Sequence, residues 1–139
     1  MNNLQRYLDA QASGYSIALK EMKDGMKHTH WIWYIFPQIK GLGHSFNAQF
    51  YGIADLNEAR AYLNHPVLGA RLREITQAVL DHADGNIYSI MGSAIDVKKF
   101  RSSMTLFDAV YPDDIFDQAL SAFFDGVRDG LTIKLISKK

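Results

Sequence analysis

The sequence predicts an all-α fold: a compact domain of about seven short helices. Three observations lead there. Apolar residues recur every three or four positions along most of the 139-residue chain. Two capping boxes, Asp55-Leu56-Asn57-Glu58 and Ser93-Ala94-Ile95-Asp96, mark helix starts. In each, the first side chain can accept from the amide three residues on, and the last can reach back. Gly and Pro punctuate the periodic stretches at short intervals, so the connections are short.

Taken in order, Asn3 is placed to cap a first helix with Leu4, Tyr7, Leu8 and Ala12 on one face. Ser13-Gly14 is expected to interrupt it, and a second short helix runs on to a stop at Gly25. His30–Phe36 is apolar on every side, so its length permits a helix or a strand; helical neighbours favour a helix, ended by Pro37 and Gly41/Gly43. The helix opened at Asp55 closes near Asn64. His65 then precedes Pro66, a favoured first helical residue. Leu68, Leu72, Ile75 and Val79 form one stripe on a helix ending near Gly85.

Ser93 opens a helix with Val97, Phe100, Met104, Phe107 and Tyr111 on one face and Leu106 on the other, which predicts a central helix. Pro112-Asp113-Asp114 starts the last clear helix, with acidic residues at its positive end. Ile115, Ala119, Ala122 and Phe123 are expected to face inward, and Gly126 to stop it. The tail "LTIKLIS" alternates like a strand and suits a short helix equally. A minor two-stranded element near residues 45–54 or at the tail is the one departure from helix that the pattern admits. Residues 1–139 read as a single globular domain, less defined over 127–139.

Composition excludes several function classes. Hydrophobic residues at 47% and aromatics at 12% support a real core. No Cys is present, which removes disulfides, thiolate metal sites and Cys nucleophiles. Basic and acidic residues balance at 15 each, and the basic runs are only Lys98-Lys99-Phe100-Arg101 and Lys138-Lys139. A nucleic-acid partner is not expected without a basic excess on one face. No apolar run approaches the ~20 residues of a membrane span. Met1–Asp9 is polar and lacks the apolar region of a signal peptide, so a soluble cytoplasmic protein with no membrane partner is the expectation.

Chemistry-bearing residues concentrate in two stretches. "HWIWYIFPQIKGLGHS" interleaves Trp31, Trp33, Tyr34 and Phe36 with polar ends, His30 and Gln38. Its aromatic faces can stack a ligand ring or simply fill a core. His28 and His30, two apart, share a face only on a strand and have no third ligand, so no metal site and no cofactor are expected. His30 is an acid/base candidate, since imidazole changes charge near neutral pH.

In "KKFRSSMTLF", helix geometry sets Asp96, Lys99 and Ser103 along one flank and Arg101, Thr105 and Asp108 along the other. Arg101 and Ser103 can hold a carboxylate or phosphate. The alternative is an internal network, Lys99 with Asp96 and Arg101 with Asp108. Gly41-Leu42-Gly43 is a turn whose second Gly permits close approach. The His65-Pro66 helix start has amides that can meet an anion, a plain helix start being the alternative. No GxxxxGK[ST], GxSxG or ordered Ser/His/Asp set occurs.

Three blocks, "HWIWYIFPQIKGLGHS", "YGIADLNEARAYLNHPVLGARL" and "KKFRSSMTLF", resemble in order the signature blocks of a bacterial family catalogued as domain of unknown function 1810. The resemblance runs from "LQRYLDAQ" to about "FFDG". It implies a small, mostly helical protein of no established function. It also emphasises His30, Trp31, Trp33, Pro37, Gln38, Gly41, Gly43, His65, Pro66, Arg71, Arg101, Ser102 and Ser103. Phe100 replaces the family's usual Leu, apolar for apolar, and the tail from Val127 departs from the usual ending. The label calpastatin, sometimes attached to such sequences, conflicts with the composition: an extended, disordered inhibitor lacks these apolar stripes and capping boxes.

Together these observations predict one polar-aromatic pocket, its floor His30–Gln38 and one wall Lys99–Ser103. Its expected occupant is a small anionic or nucleotide-like ligand, such as a nucleotide or an ADP-ribose-like molecule. Trp31 or Trp33 would stack; Gln38, Lys99, Arg101, Ser102 and Ser103 would hold the polar groups. Any catalysis would be hydrolase or glycosidase chemistry, with His30 or Asp96 as acid/base. The alternative is a non-catalytic structural or protein-interaction domain with a closed polar core network. A solvent-connected pocket containing His30, one Trp and Arg101 would separate the two.

Overall fold

A computed structural model describes residues 3–138. Met1 and Asn2 of the polar N-terminal stretch, and Lys139 of the terminal basic pair, lie outside the described residues. Nine helices occur among the described residues: α1 (Gln5–Asp24), α2 (Ile32–Ile35), α3 (Phe46–Phe50), α4 (Leu56–Asn64), α5 (Leu68–Leu80), α6 (Ile87–Met91), α7 (Ala94–Val110), α8 (Ile115–Phe124) and α9 (Gly130–Lys138). The fold is all-α; the two helices expected before Gly25 merge into α1, while α3 and α6, too short for a periodic signal, and the tail helix α9 add three.

The N-cap half of each capping box forms, and the returning half does not close on the cap residue itself. Asp55 accepts from the Glu58 amide at 2.9 Å, and Glu58 reaches one residue further back, accepting from the Ala54 amide at 2.9 Å. Ser93 accepts from the Asp96 amide at 3.1 Å, but the Asp96 carboxylate turns to Lys27, 2.9 Å away. His65 is itself a cap: its ring Nδ1 accepts from the amides of Val67 (3.1 Å) and Leu68 (3.2 Å). Those two amides are therefore engaged within the chain, as is the Gly69 amide by His65 O at 2.9 Å, so this is a plain helix start.

Four expectations are corrected. Asn3 does not cap α1; Leu4 stands at the N-cap with no side-chain bond. Ser13-Gly14 does not interrupt α1, because Gly14 is buried against Tyr34, whose hydroxyl would lie 2.6 Å from a Cβ there. The glycine marks close packing, not a break. In α8 the buried residues are Phe116, Ala119 and Leu120, while Ala122 is exposed, so the inward stripe is rotated from the expected one. Tyr111 caps the end of α7 and is 44% exposed, beyond the reach of the face it was assigned to.

The ambiguous tail is helical, with Thr132 buried. No strand occurs among the described residues, and 45–54 is largely α3; a lone parallel bridge joins Ile39 to Ile53. In it Lys40 N donates to Ile53 O, and Ile53 N to Gln38 O, both at 2.8 Å. The bridge anchors the chain on either side of the 41–50 loop.

Packing centres on α7, which touches α2, α4, α6, α8 and α9. Val97, Phe100, Met104 and Phe107 are buried on one side and Leu106 on the other, as the apolar residues on both faces predict. α1 packs against α2 and α5 along a stripe of Tyr7, Gln11, Gly14, Ala18 and Glu21.

The turn from α4 into α5 is equally tight. A Cβ on Gly69 would lie 2.0 Å from the Leu63 carbonyl oxygen, a backbone atom that cannot rotate aside. Gly→Ala inside a helix ordinarily gains about 1 kcal/mol. Here Gly69→Ala is expected to lose about 3 kcal/mol by overpacking, read as a lower urea midpoint with unchanged slope. A gain in midpoint would contradict the close α4–α5 crossing.

Candidate functional site

A groove of about 350 Å³ opens between the 38–48 loop, the first half of α7 and the start of α9. The loop contributes Gln38, Leu42, His44 and Ser45; α7 contributes Ile95, Lys98, Lys99 and Ser102; Asp129 and Leu131 close the far side. The loop is shaped by its glycines. Gly41 has φ 110°, and Gly43 sits where a Cβ would be 2.8 Å from that of Ala48, so the chain folds tightly onto α3. Ser45 caps α3 by accepting from the Ala48 amide at 3.1 Å.

The cationic wall exists because the expected ion pairs form elsewhere. Lys99 was the natural i, i+3 partner of Asp96, but Asp96 pairs with Lys27, whose side chain is 5% exposed. Lys99 instead stands over the Trp33 ring, its Nζ 5.0 Å from the centroid. Among the described residues neither Lys98 nor Lys99 makes an ion pair.

Arg101 does not pair with Asp108 either. Its Nε donates to Val127 O at 2.9 Å and its Nη2 to Arg128 O at 3.3 Å, which clamps the α8–α9 connection. Asp108 goes to Arg128 at 3.0 Å, and Arg128 also meets Asp117 at 2.7 Å. The connection then docks on α7: the Asp129 amide donates to Thr105 Oγ1 at 3.0 Å, and Ser102 Oγ, whose one hydrogen faces Lys98 O at 2.9 Å, also lies 3.3 Å from Asp129 Oδ2.

Of the residues singled out from sequence, Gln38, Lys99 and Ser102 line the groove, and Trp33 supports Lys99. The others lie apart. His30 is exposed outside the groove. Trp31 is 1% exposed and donates its indole N–H to Glu21 Oε1 at 2.9 Å. Asp96 belongs to Lys27 and Arg101 to the 127–128 carbonyls. Ser103 is fully buried, and its hydroxyl has no partner. His30, a Trp and Arg101 therefore do not meet in one pocket; Trp31 and Arg101 are each held by separate structural partners.

The site residues that spacing did not single out are His44, Ser45, Lys98 and Asp129. Asp129 lies in the tail, where no periodic signal was assigned. Among the described residues no group of three His, Asp or Glu side chains stands close enough to hold a metal ion.

Apart from the groove, sequence reasoning also missed a buried carboxylate on α1. Glu21 is 8% exposed and accepts from His28 N (2.8 Å), Thr29 N (3.1 Å), Thr29 Oγ1 (2.7 Å) and Trp31 Nε1. Burial pushes its pKa up, but the donors outweigh that and hold it down at about 2. The signal was its register: Glu21 continues the buried stripe of Gln11, Gly14 and Ala18.

The family model described as "Protein of unknown function (DUF1810)" matches residues 1–136. The crystal structure of the conserved hypothetical protein Rv1873 from Mycobacterium tuberculosis is similar to this chain at 40% identity, with a TM-score of 0.93, over 97% of this chain and 96% of that one. No curated protein matches.

Glu21 carries a pH signature. Its pKa is lower folded than unfolded, so its contribution is fully present above about pH 4.5 and is lost as pH falls toward about 2. Glu21→Gln is expected to cost about 2 kcal/mol near neutrality, since a neutral amide replaces an acceptor of charge-assisted bonds. It should also flatten the decline in stability between those pH values. Urea titrations at pH 7, 4.5 and 3 read both effects, and a variant as stable as the parent at pH 7 would contradict the seat.

Proposed function

The chain belongs to the DUF1810 family, whose function is unknown, so activity must be argued from the groove; we propose that the protein binds there a small anionic ligand, of the kind a nucleotide or another phosphorylated metabolite presents. One observation carries this. Lys98 and Lys99, adjacent on α7, line a concave surface without an ion-pair partner among the described residues. Unpaired ammonium groups lining a cleft raise the local positive potential and concentrate anions. Lysine serves phosphate as a point charge with rotatable donors. The amide of Gln38 and the hydroxyls of Ser45 and Ser102 add neutral dipoles beside them. The Trp33 ring under Lys99 limits its motion, so less freedom is lost on binding.

The role expected of Arg101 passes to Lys98 and Lys99. Stacking by Trp31 is not part of the proposal, since its ring is enclosed. The apolar part of a ligand would instead meet Leu42, Ile95 and Leu131. His30 and Asp96 lie outside the groove, so binding, without a hydrolytic or glycosidic step, is what this geometry supports.

The non-catalytic interaction domain has its own supporting observation. Phe46 and Phe50 of α3 are 76% and 43% exposed and stack on each other at 5.5 Å and 12°. Exposed aromatic pairs of this kind occur at protein contacts.

Thermal-shift measurement against inorganic phosphate, AMP and ATP at millimolar concentration tests the anion site. A ligand that binds only the folded state raises Tm by mass action. The rise is expected in the parent and absent in Lys98→Gln/Lys99→Gln, with the unliganded Tm unchanged. Arg101→Ala is expected to lower the unliganded Tm, by releasing the 127–128 connection, yet to keep the ligand-induced rise. No shift with any anion, or an equal shift in the double variant, would overturn the proposal.

A further inference from the structure

Asp129 is an acidic residue lining the groove. Its Oδ2 is engaged, accepting from the Thr132 amide at 3.0 Å and the Thr132 hydroxyl at 2.5 Å, with Ser102 Oγ 3.3 Å away. The Thr132 bonds are a helix cap for α9, and the Asp129 amide is held in turn by Thr105 at 3.0 Å. The carboxylate orientation is thereby locked. Its second oxygen, Oδ1, accepts no hydrogen bond among the described residues. The enclosed side-chain atoms without a partner are on Trp33, Thr76, Ser103 and Asp108. Asp129 Oδ1 is not among them, so it meets solvent.

An ionised carboxylate accepts hydrogen bonds and donates none. Set in one groove with Lys98 and Lys99, it repels a bare anion and favours a ligand that also brings an O–H donor. Resting on the anion site proposed above, we infer that the ligand is a phosphorylated sugar: Lys98 and Lys99 hold the phosphate, and Asp129 Oδ1 accepts a sugar hydroxyl. The same chemistry occurs in a free sugar phosphate and in the ribose phosphate of a nucleotide. Ile95 and Leu131, 66% and 63% exposed at the groove, offer an apolar surface that a base would cover and a free sugar would not. Asp129 is the specificity-determining residue, because discrimination comes from a pre-oriented acceptor that costs affinity when the ligand cannot answer it.

Calorimetric titration of the full chain with inorganic phosphate, phenyl phosphate, ribose 5-phosphate and AMP tests this. Ribose 5-phosphate and AMP are expected to bind at least about tenfold tighter than phenyl phosphate, the worth of one charge-assisted hydrogen bond. Asp129→Asn should erase that advantage and leave phenyl phosphate bound no more weakly. Asparagine also caps helices, so α9 should persist, with the unliganded Tm lowered only as far as a neutral amide is a weaker acceptor than a carboxylate. The comparison among ligands in the parent protein stands even if that variant is perturbed. AMP binding tighter than ribose 5-phosphate identifies a nucleotide; equal binding identifies a free sugar phosphate. Phenyl phosphate binding as tightly as ribose 5-phosphate, with both lost in Lys98→Gln/Lys99→Gln, would overturn the inference and leave the anion site standing. No binding by any of the four would overturn both.

Discussion

Burial of α7 on both faces is the constraint from which the rest follows. α7 is flanked by five other helices, so the polar groups on its buried sides must find partners, since an unpaired buried polar group costs as much as a lost hydrogen bond. Ser102 and Thr105 meet the requirement by bonding back to Lys98 O and Arg101 O, one turn earlier. They then reach outward to Asp129. The polar groups of the central helix thus become the seat of the α8–α9 connection. Arg101 clamps the same connection through two carbonyls. The groove lies where that connection, α7 and the 38–48 loop meet, so its shape is a consequence of how α7 satisfies itself.

Charge is distributed by the same logic. The carboxylates nearest in sequence to the α7 cations are taken by cations from elsewhere, Asp96 by Lys27 and Asp108 by Arg128. Lys27 lies just beyond the end of α1, in the segment that Glu21 organises by accepting from His28, Thr29 and Trp31. Lys27 also stands over the Trp31 ring at 5.0 Å. The connection after α1 is therefore tied both to α1 and to the head of α7, and it removes from Lys99 the partner that local spacing offered. Removing an internal partner from a partly exposed lysine leaves it available to an external anion.

Local signals carried much of the architecture. The capping boxes at Asp55 and Ser93, the stop at Gly25 and the stripe of Leu68, Leu72, Ile75 and Val79 were legible because a helix start, a left-handed C-cap and a buried face each need particular residue types within one or two turns. Leu106, opposite the main apolar face, disclosed the central helix for the same reason. Gly14 misled, because a glycine that breaks a helix and one that admits a neighbouring ring look alike in sequence; Tyr34, twenty residues away, decides between them. The tail resisted assignment since its half-buried face of nine residues is too short to separate the two periods.

What the sequence determined alone is the all-α class and the position of α7 at its centre. These depend on periodicity and capping, which act over a few residues. What only the tertiary structure decided is which polar groups pair and which remain open. Coulomb attraction and hydrogen bonding choose the nearest partner in space, and a cation 69 positions away in the chain, Lys27, reaches Asp96 before Lys99 does. For that reason Trp31 and Ser103 are buried, Arg101 is spent on the 127–128 carbonyls, Gln38, Lys99 and Ser102 line the groove, and Asp129 joins the lysines there without any local pattern to announce it.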